Sequence, residues 1–220
     1  MARPLDPPRD GSPPRGSAPR GLGVLGGAFN PPHRTHVRLA EQALRQLPIA
    51  ELRVIPSGDH PHKRGRDMAP AEDRLAMARI AFADLSGVVV DDRELRRAGP
   101  SFTVDTLAEL HAEAPETKLW FLIGSDNLPL LPTWHEHHRL LALATVVTWP
   151  RRGHPIEPAA LATLDLSDAE RRSLLANVLD LPADDVAASD LRQRWRRGER
   201  DLPELPPGVA AYLEARALYR

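Results

Sequence analysis

From Gly21 onward the chain repeats one pattern: a short, continuously apolar run, then a stretch with helical periodicity, then another apolar run. A run that is apolar at every position suits a strand buried on both faces. Strands that alternate with helices are joined by crossovers that make them parallel. The runs lie at 22–25, 52–55, 87–90, 119–123 and 145–149. Helical stripes are predicted from about His36 to Pro48, over 71–85, over 103–114 with Ser101 or Thr103 as cap, and over 136–144. Beyond Arg152 the strand signals stop. Ser167-Asp168-Ala169-Glu170 is a capping box opening a helix toward Leu179, and two more helices follow at about 189–197 and 207–217. Leu191, Trp195, Tyr212, Leu213 and Leu218 in those helices are read as core. The expected fold is α/β: a doubly wound, Rossmann-like parallel sheet with helices on both faces. One domain spans 21–220, of which 153–220 is a small, mainly helical C-terminal part.

Composition narrows the function classes. Cys is absent, which excludes disulfides, thiolate zinc sites and thiol nucleophiles. Lys+Arg number 29 against Asp+Glu 30, so a broad nucleic-acid or anionic-membrane binder is not expected. No apolar run reaches the ~18 residues of a membrane span. Residues 1–20 hold six prolines and four arginines with almost nothing apolar, and read as a disordered tail without the apolar segment of a secretory signal. The default compartment is the cytoplasm.

In a doubly wound sheet, ligands bind beyond the carboxyl ends of the strands, at the topological switch point. The first strand-to-helix connection is therefore the place for chemistry. It reads Gly26-Gly27-Ala28-Phe29-Asn30-Pro31-Pro32-His33-Arg34-Thr35-His36. Paired glycines let a ligand approach the backbone, the following helix offers its positive end, and two histidines add donors that can be cationic. Together these suit a polyphosphate. The same spacing also serves a plain turn whose histidines cap the helix.

This segment resembles the signature Gly-Gly-x-Phe-Asp/Asn-Pro-x-His-x-Gly-His of the nucleotidyltransferases, in the branch that includes the bacterial nicotinate mononucleotide adenylyltransferases. The resemblance runs from about Leu22 to Tyr219. Pro56-Ser57-Gly58-Asp59-His60-Pro61-His62-Lys63 is similar to that family's Pro-x-x-x-Pro-Pro-His-Lys loop. The stretch from Glu94 to Leu107, with Gly99-Pro100-Ser101-Phe102-Thr103, resembles its Gly-Pro-Ser-Tyr-Thr segment. Gly124-Ser125-Asp126 and Pro132-Thr133-Trp134 resemble its Gly-x-Asp and Pro-x-Trp, and Arg151-Arg152-Gly153 its Arg-Pro-Gly.

The resemblance implies adenylyl transfer from ATP to nicotinate mononucleotide, giving deamido-NAD and pyrophosphate. It implies catalytic His33 and His36, with Gly26, Gly27, Phe29, Asp126, Ser189 and Arg192 binding ATP. Lys63 and Arg152 are implied phosphate contacts, and Ser101, Thr103 and Trp134 an acceptor pocket. Mg²⁺ is expected to arrive with the triphosphate, because no carboxylate cluster is seen to cage it. The expected partners are these two small molecules, with neither nucleic acid nor membrane, and self-association is left open.

Three departures stand out. Thr35 replaces the glycine between the histidines, where it could crowd the nucleotide or alter the helix start. Ala187 and Ala188 replace two hydroxyl residues ahead of Ser189, and His60 takes a proline position. They keep two alternatives open: an adenylyltransferase for nicotinamide mononucleotide or phosphopantetheine, and a degenerate homologue that binds nucleotide without turnover. His135-Glu136-His137-His138 is read as a solvated helix start, in which only His135 and His138 would share a face, and no metal ligand is assigned.

Overall fold

The structure is a computed structural model that describes residues 21–58, 68–183 and 186–220. The expected tail at 1–20, His60 and Lys63 lie outside the described residues. Five parallel strands form one sheet: β1 (Gly21–Gly27), β2 (Ile49–Pro56), β3 (Val88–Val90), β4 (Leu119–Gly124) and β5 (Ala144–Trp149). Their order is β3-β2-β1-β4-β5. The chain winds outward one way from β1, then crosses back to place β4 on the other side of it. The switch point therefore lies between the carboxyl ends of β1 and β4.

The apolar runs are continuous because both faces of the sheet are covered. Along β1, Val24 faces one core cluster and Leu25 the other. Along β4, Phe121 and Ile123 alternate in the same way with Trp120 and Leu122. One face packs on α4 (Thr103–Glu113), α5 (His137–Leu143), α6 (Pro158–Ala162) and α7 (Asp168–Ala176) through Leu107, Leu140, Leu161 and Leu174. The opposite face packs on α1 (Arg34–Gln46) and α2 (Ala71–Phe82) through Leu39, Ala43 and Ala78. No helix among the described residues is long and apolar enough to cross a membrane.

The differences from the expected elements are local. The helix α1 begins at Arg34, so Thr35 sits inside its first turn and does not disturb its start. Neither Ser101 nor Thr103 caps α4: its cap residue is Phe102, and no side chain bonds the helix end. A one-turn helix, α3 (Arg93–Arg96), and a 3-10 helix at Ser125–Thr133 were not foreseen. The capping box at Ser167 and Glu170 forms as expected.

Two C-terminal helices, α8 (Ala188–Arg196) and α9 (Pro207–Ala215), form a third cluster with Met77 of α2 through Leu191, Trp195, Val209 and Leu213. Their attachment has a polar centre. Asp73, 1% exposed, accepts hydrogen bonds from the Tyr212 hydroxyl and Arg216 Nε, both at 2.8 Å. Replacing Asp73 by Ala leaves both donors without this acceptor, and is expected to cost about 2 kcal/mol in a denaturant titration.

Candidate active site

The carboxyl ends of β1 and β4 open into a cleft with two lobes that share Gly26, Gly27, Asn127 and Trp149. One lobe, of about 450 Å³, is lined by Phe29, Asn30, His33, Thr35, His36, Asp126, Arg151, Ala187, Ala188 and Arg192, among others. The second, of about 400 Å³, is lined by Ser57, Glu94, Thr103, Phe121, Leu130, Thr133 and Trp134. Each volume suits a nucleotide-sized ligand.

The loop after β1 is held by its neighbours on several sides. Phe29 has φ +48° and is 1% exposed, its ring edge-on to Phe82 at 5.9 Å and to His36 at 5.0 Å. Its side chain is thus an anchor in the core, and its contribution to the cleft comes from the turn it imposes. Arg74 donates to the Ala28 carbonyl at 3.0 Å and Arg192 to the Asn30 carbonyl at 2.8 Å. Asn30 Oδ1 accepts from the Ala69 amide at 2.9 Å and from the Tyr219 hydroxyl at 2.6 Å. Burial pushes the Tyr219 phenol up from its ordinary value, so it remains a donor at neutral pH.

The two histidines differ in environment. The His33 amide donates to His36 Nδ1 at 3.2 Å, which leaves the His36 proton on Nε2, and the rings lie 3.9 Å apart. His33 is 4% exposed, and its Nδ1 has no hydrogen-bond partner among the described residues. Burial, then the nearby Arg151 and Arg34 charges, lower its pKa to about 3. His33 is therefore neutral in the free protein at pH 7.

The remaining sequence-selected residues divide between the lobes and the scaffold. Asp126 stands in the second position of the 3-10 helix, and a Cβ on Gly124 would overlap its Oδ1. That overlap explains a glycine here better than loop flexibility does. Arg151 lines the first lobe, whereas Arg152 is exposed and outside its lining. The offset arises because the Arg151 amide is caught by Ser125 Oγ at 2.9 Å as the chain leaves β5. Ser189 is exposed and does not line the cleft; Ala187, Ala188 and Arg192 do. Thr35 is 6% exposed and forms part of the first lobe's wall.

In the second lobe Trp134 stands edge-on to Phe121 at 6.1 Å, with Thr103 on the same lining. Ser101 is 1% exposed and outside that lining; its hydroxyl donates to the Glu94 carbonyl at 3.4 Å. It supports Glu94, which sequence reasoning quoted but did not select. Glu94 accepts from Thr106 Oγ1 at 2.8 Å and from the Gly58 amide at 3.3 Å. Burial raises its pKa, and those bonds oppose the rise. Ser57 Oγ is buried beside the same lobe with no partner among the described residues. Its only advance signal was its place in the quoted Pro56–Lys63 loop.

A doubly wound sheet whose first loop carries paired glycines and two histidines over a bilobed cleft defines an α/β protein with a site suited to phosphate-bearing ligands. Comparison with known proteins narrows this class: the cytidylyltransferase-like family profile matches residues 24–194, and the chain belongs to that family. A relative from Albidiferax ferrireducens, named a probable nicotinate-nucleotide adenylyltransferase, is 41% identical over 199 residues, covering 90% of this chain and 98% of its own. One of the same name from Roseiflexus is 41% identical over 204 residues, covering 93% and 99%. Among solved structures, a Plasmodium falciparum nicotinic acid mononucleotide adenylyltransferase complexed with NaAD superposes with a TM-score of 0.71 at 16% identity, over 91% of this chain and 97% of that one. That last likeness establishes the shared fold.

Two outcomes follow from this geometry. Tyr219→Phe removes the hydroxyl on Asn30, so amide hydrogen exchange at Phe29 and Asn30 is expected to accelerate, with about 1 kcal/mol lost in stability. For His33 the folded pKa lies below the unfolded one, so the unfolded state binds more protons between about pH 3 and 6.5. The stability tied to neutral His33 is complete above about pH 6.5 and is lost as pH falls toward 3. His33→Asn is expected to flatten that part of a stability-versus-pH curve measured by denaturant titration.

Proposed function

We propose that this protein transfers the adenylyl group of ATP to nicotinate mononucleotide, releasing pyrophosphate and forming deamido-NAD. The observation that carries the reading is the bilobed cleft: two nucleotide-sized spaces meet over Gly26 and Gly27, where a phosphate of one ligand can reach a phosphate of the other. The names of the Albidiferax and Roseiflexus relatives, which align over nearly their whole length, support the choice of acceptor. The cytoplasm is the compartment we assign to it.

In this reading ATP takes the first lobe. Arg151 and Arg192 supply positive charge, and the Gly26-Gly27 backbone admits the phosphates. Among the described residues Asp126 is the only carboxylate lining this lobe, and its role in this reading is to accept from ribose hydroxyls. Among the described residues this lining offers one carboxylate, so Mg²⁺ would come with ATP as its complex and would supply neutralisation of phosphate charge. Nicotinate mononucleotide takes the second lobe, its pyridine ring against Trp134 and its carboxylate toward Thr103.

The chemistry is an in-line displacement. An oxygen of the acceptor's 5′-phosphate bonds to the α-phosphorus as the bond to the bridging oxygen breaks, and the electron pair leaves with pyrophosphate. The nucleophile is already an anion, so no general base is required; catalysis is positioning and charge stabilisation. His36 contributes an Nε2–H donor whose tautomer is set by the His33 amide. His33 presents a buried imidazole that a nearby phosphate anion would favour in its protonated form. Thr35 narrows the lobe but leaves α1 intact, and both histidines are present, which favours turnover over a degenerate binder.

The test is pyrophosphate release with Mg²⁺ and ATP, offering nicotinate and nicotinamide mononucleotides in parallel. Turnover with the nicotinate substrate is expected. Turnover with the nicotinamide nucleotide alone would reassign the acceptor, and ATP binding without turnover would make this a non-catalytic homologue. In the active protein, His36→Ala is expected to lower kcat by on the order of 10²-fold or more while ATP affinity changes only a few-fold. Retained activity in that variant would refute the role given to His36.

A further inference from the structure

The His135–His138 segment does not behave as a regular helix start. Glu136 has φ +49°, so α5 begins only at His137, and the i, i+3 relation between His135 and His138 is lost. His135 turns to lie against the Phe102 ring at 4.4 Å. His137 and His138 instead stand side by side, ring centroids 4.0 Å apart, and both face Asp165 in the turn between α6 and α7.

Three ligand atoms, one each from His137, His138 and Asp165, lie within 4.8 Å of one another. Asp165 Oδ2 is 4.0 Å from His137 Nε2 and 3.9 Å from His138 Nε2. Tetrahedral zinc holds its ligands about 3.4 Å apart, so the two separations to Asp165 need to close by about half an ångström and no pair in the triad by more than about 1.4 Å. The mobile partner is available for that movement: the Asp165 side chain is 81% exposed, and the two imidazoles are its only ion-pair neighbours among the described residues.

The surroundings also orient the ligands. His138 Nδ1 bonds Glu170 Oε1 at 2.8 Å, which leaves Nε2 directed to Asp165. Glu170 is itself fixed, because its other oxygen accepts from the Ser167 amide at 2.6 Å in the α7 capping box. A carboxylate on the far nitrogen of a histidine is the usual support of a metal-bound imidazole. The His137 side chain is only 12% exposed, and its Nε2–H donates to the Asp165 carbonyl at 3.0 Å; an ion bound at Nε2 would displace that proton and take the place of this bond.

We propose that His137, His138 and Asp165 form a surface site for a divalent transition-metal ion of the zinc type, with Glu170 orienting His138. Two nitrogens and one carboxylate oxygen are borderline donors that suit Zn²⁺, Co²⁺ or Ni²⁺ over Mg²⁺ or Ca²⁺, and water completes the coordination. The bound ion joins the start of α5 to the α6–α7 turn. Because α5 follows Trp134 by only a few residues, it also steadies the segment that carries one wall of the second lobe. The site is separate from the cleft and does not depend on the adenylyl-transfer reading.

The test uses the full chain without an affinity tag, titrated with Zn²⁺ alone by calorimetry. A saturable component of one ion per chain is expected. Asp165→Asn and His138→Ala should each weaken it at least tenfold, and Glu170→Gln should weaken it by about tenfold. Co²⁺ should show the visible bands of a low-symmetry, four-coordinate ion in the wild type and lose them in Asp165→Asn. All three positions lie outside the cleft, and far-UV circular dichroism with a denaturant titration reports that each variant is folded. No saturable binding, or binding unchanged in both Asp165→Asn and His138→Ala, would overturn the proposal.

Discussion

Parallel pairing of β1 with both β2 and β4 is the constraint on which the remaining arrangement depends. It makes β1 the centre of the sheet and sends the crossovers on its two sides in opposite directions. The loops leaving β1 and β4 therefore diverge at one edge and leave a gap between them. The strand ends bring their groups to the cleft from that edge: Gly26 and Gly27 from β1, Ser57 from β2, Gly124 and Asp126 after β4, and Arg151 after β5. A parallel sheet buried on both faces offers few other places for a large polar cavity, since its faces are filled by the two core clusters.

The gap is useful only if its most ligand-exposed loop keeps one shape, and here the C-terminal helices matter. Asn30 accepts hydrogen bonds from Ala69, Arg192 and Tyr219, three points far apart in the chain. The Arg34 amide at the start of α1 bonds the Glu204 carbonyl at 2.8 Å. The helical portion after β5 is thus a brace for the β1–α1 loop as well as an appended layer. Asp73, bonded to Tyr212 and Arg216, ties that brace to α2.

What the sequence disclosed follows physical range. The five strands were legible because each is a mainly apolar run, Arg53 being the one charged residue among the runs, and their carboxyl edge followed from alternation with helices. The Ser167 box was legible because both its partners are three residues apart. The 3-10 helix at Ser125–Thr133 was not, since Pro129 and Pro132 read as breakers when the segment's fit over β4 is unknown. Arg151 and Arg152 could not be separated without the Ser125 contact that orients the backbone. Ser101 was assigned to the acceptor pocket because its neighbours are there, but its hydroxyl is engaged by Glu94. The pairing of Tyr219 with Asn30 and the meeting of His137 and His138 with Asp165 join residues distant in sequence, so no local pattern announces them.

The electrostatics of the first lobe bear on how such a cleft would accelerate a reaction between two anions. Fixed cations alone would stabilise bound substrate and transition state alike, which lowers KM without raising kcat. His33 differs from Arg151 and Arg192 in this respect. Burial and the neighbouring arginines keep it neutral while the lobe is free of anions. Its protonated form would become favourable as phosphate charge comes beside it. His36, with its tautomer set by the His33 backbone, supplies the complementary fixed donor. In the proposed reaction, the burial that destabilises His33 as a cation would make its protonation depend on the phosphate charge brought beside it.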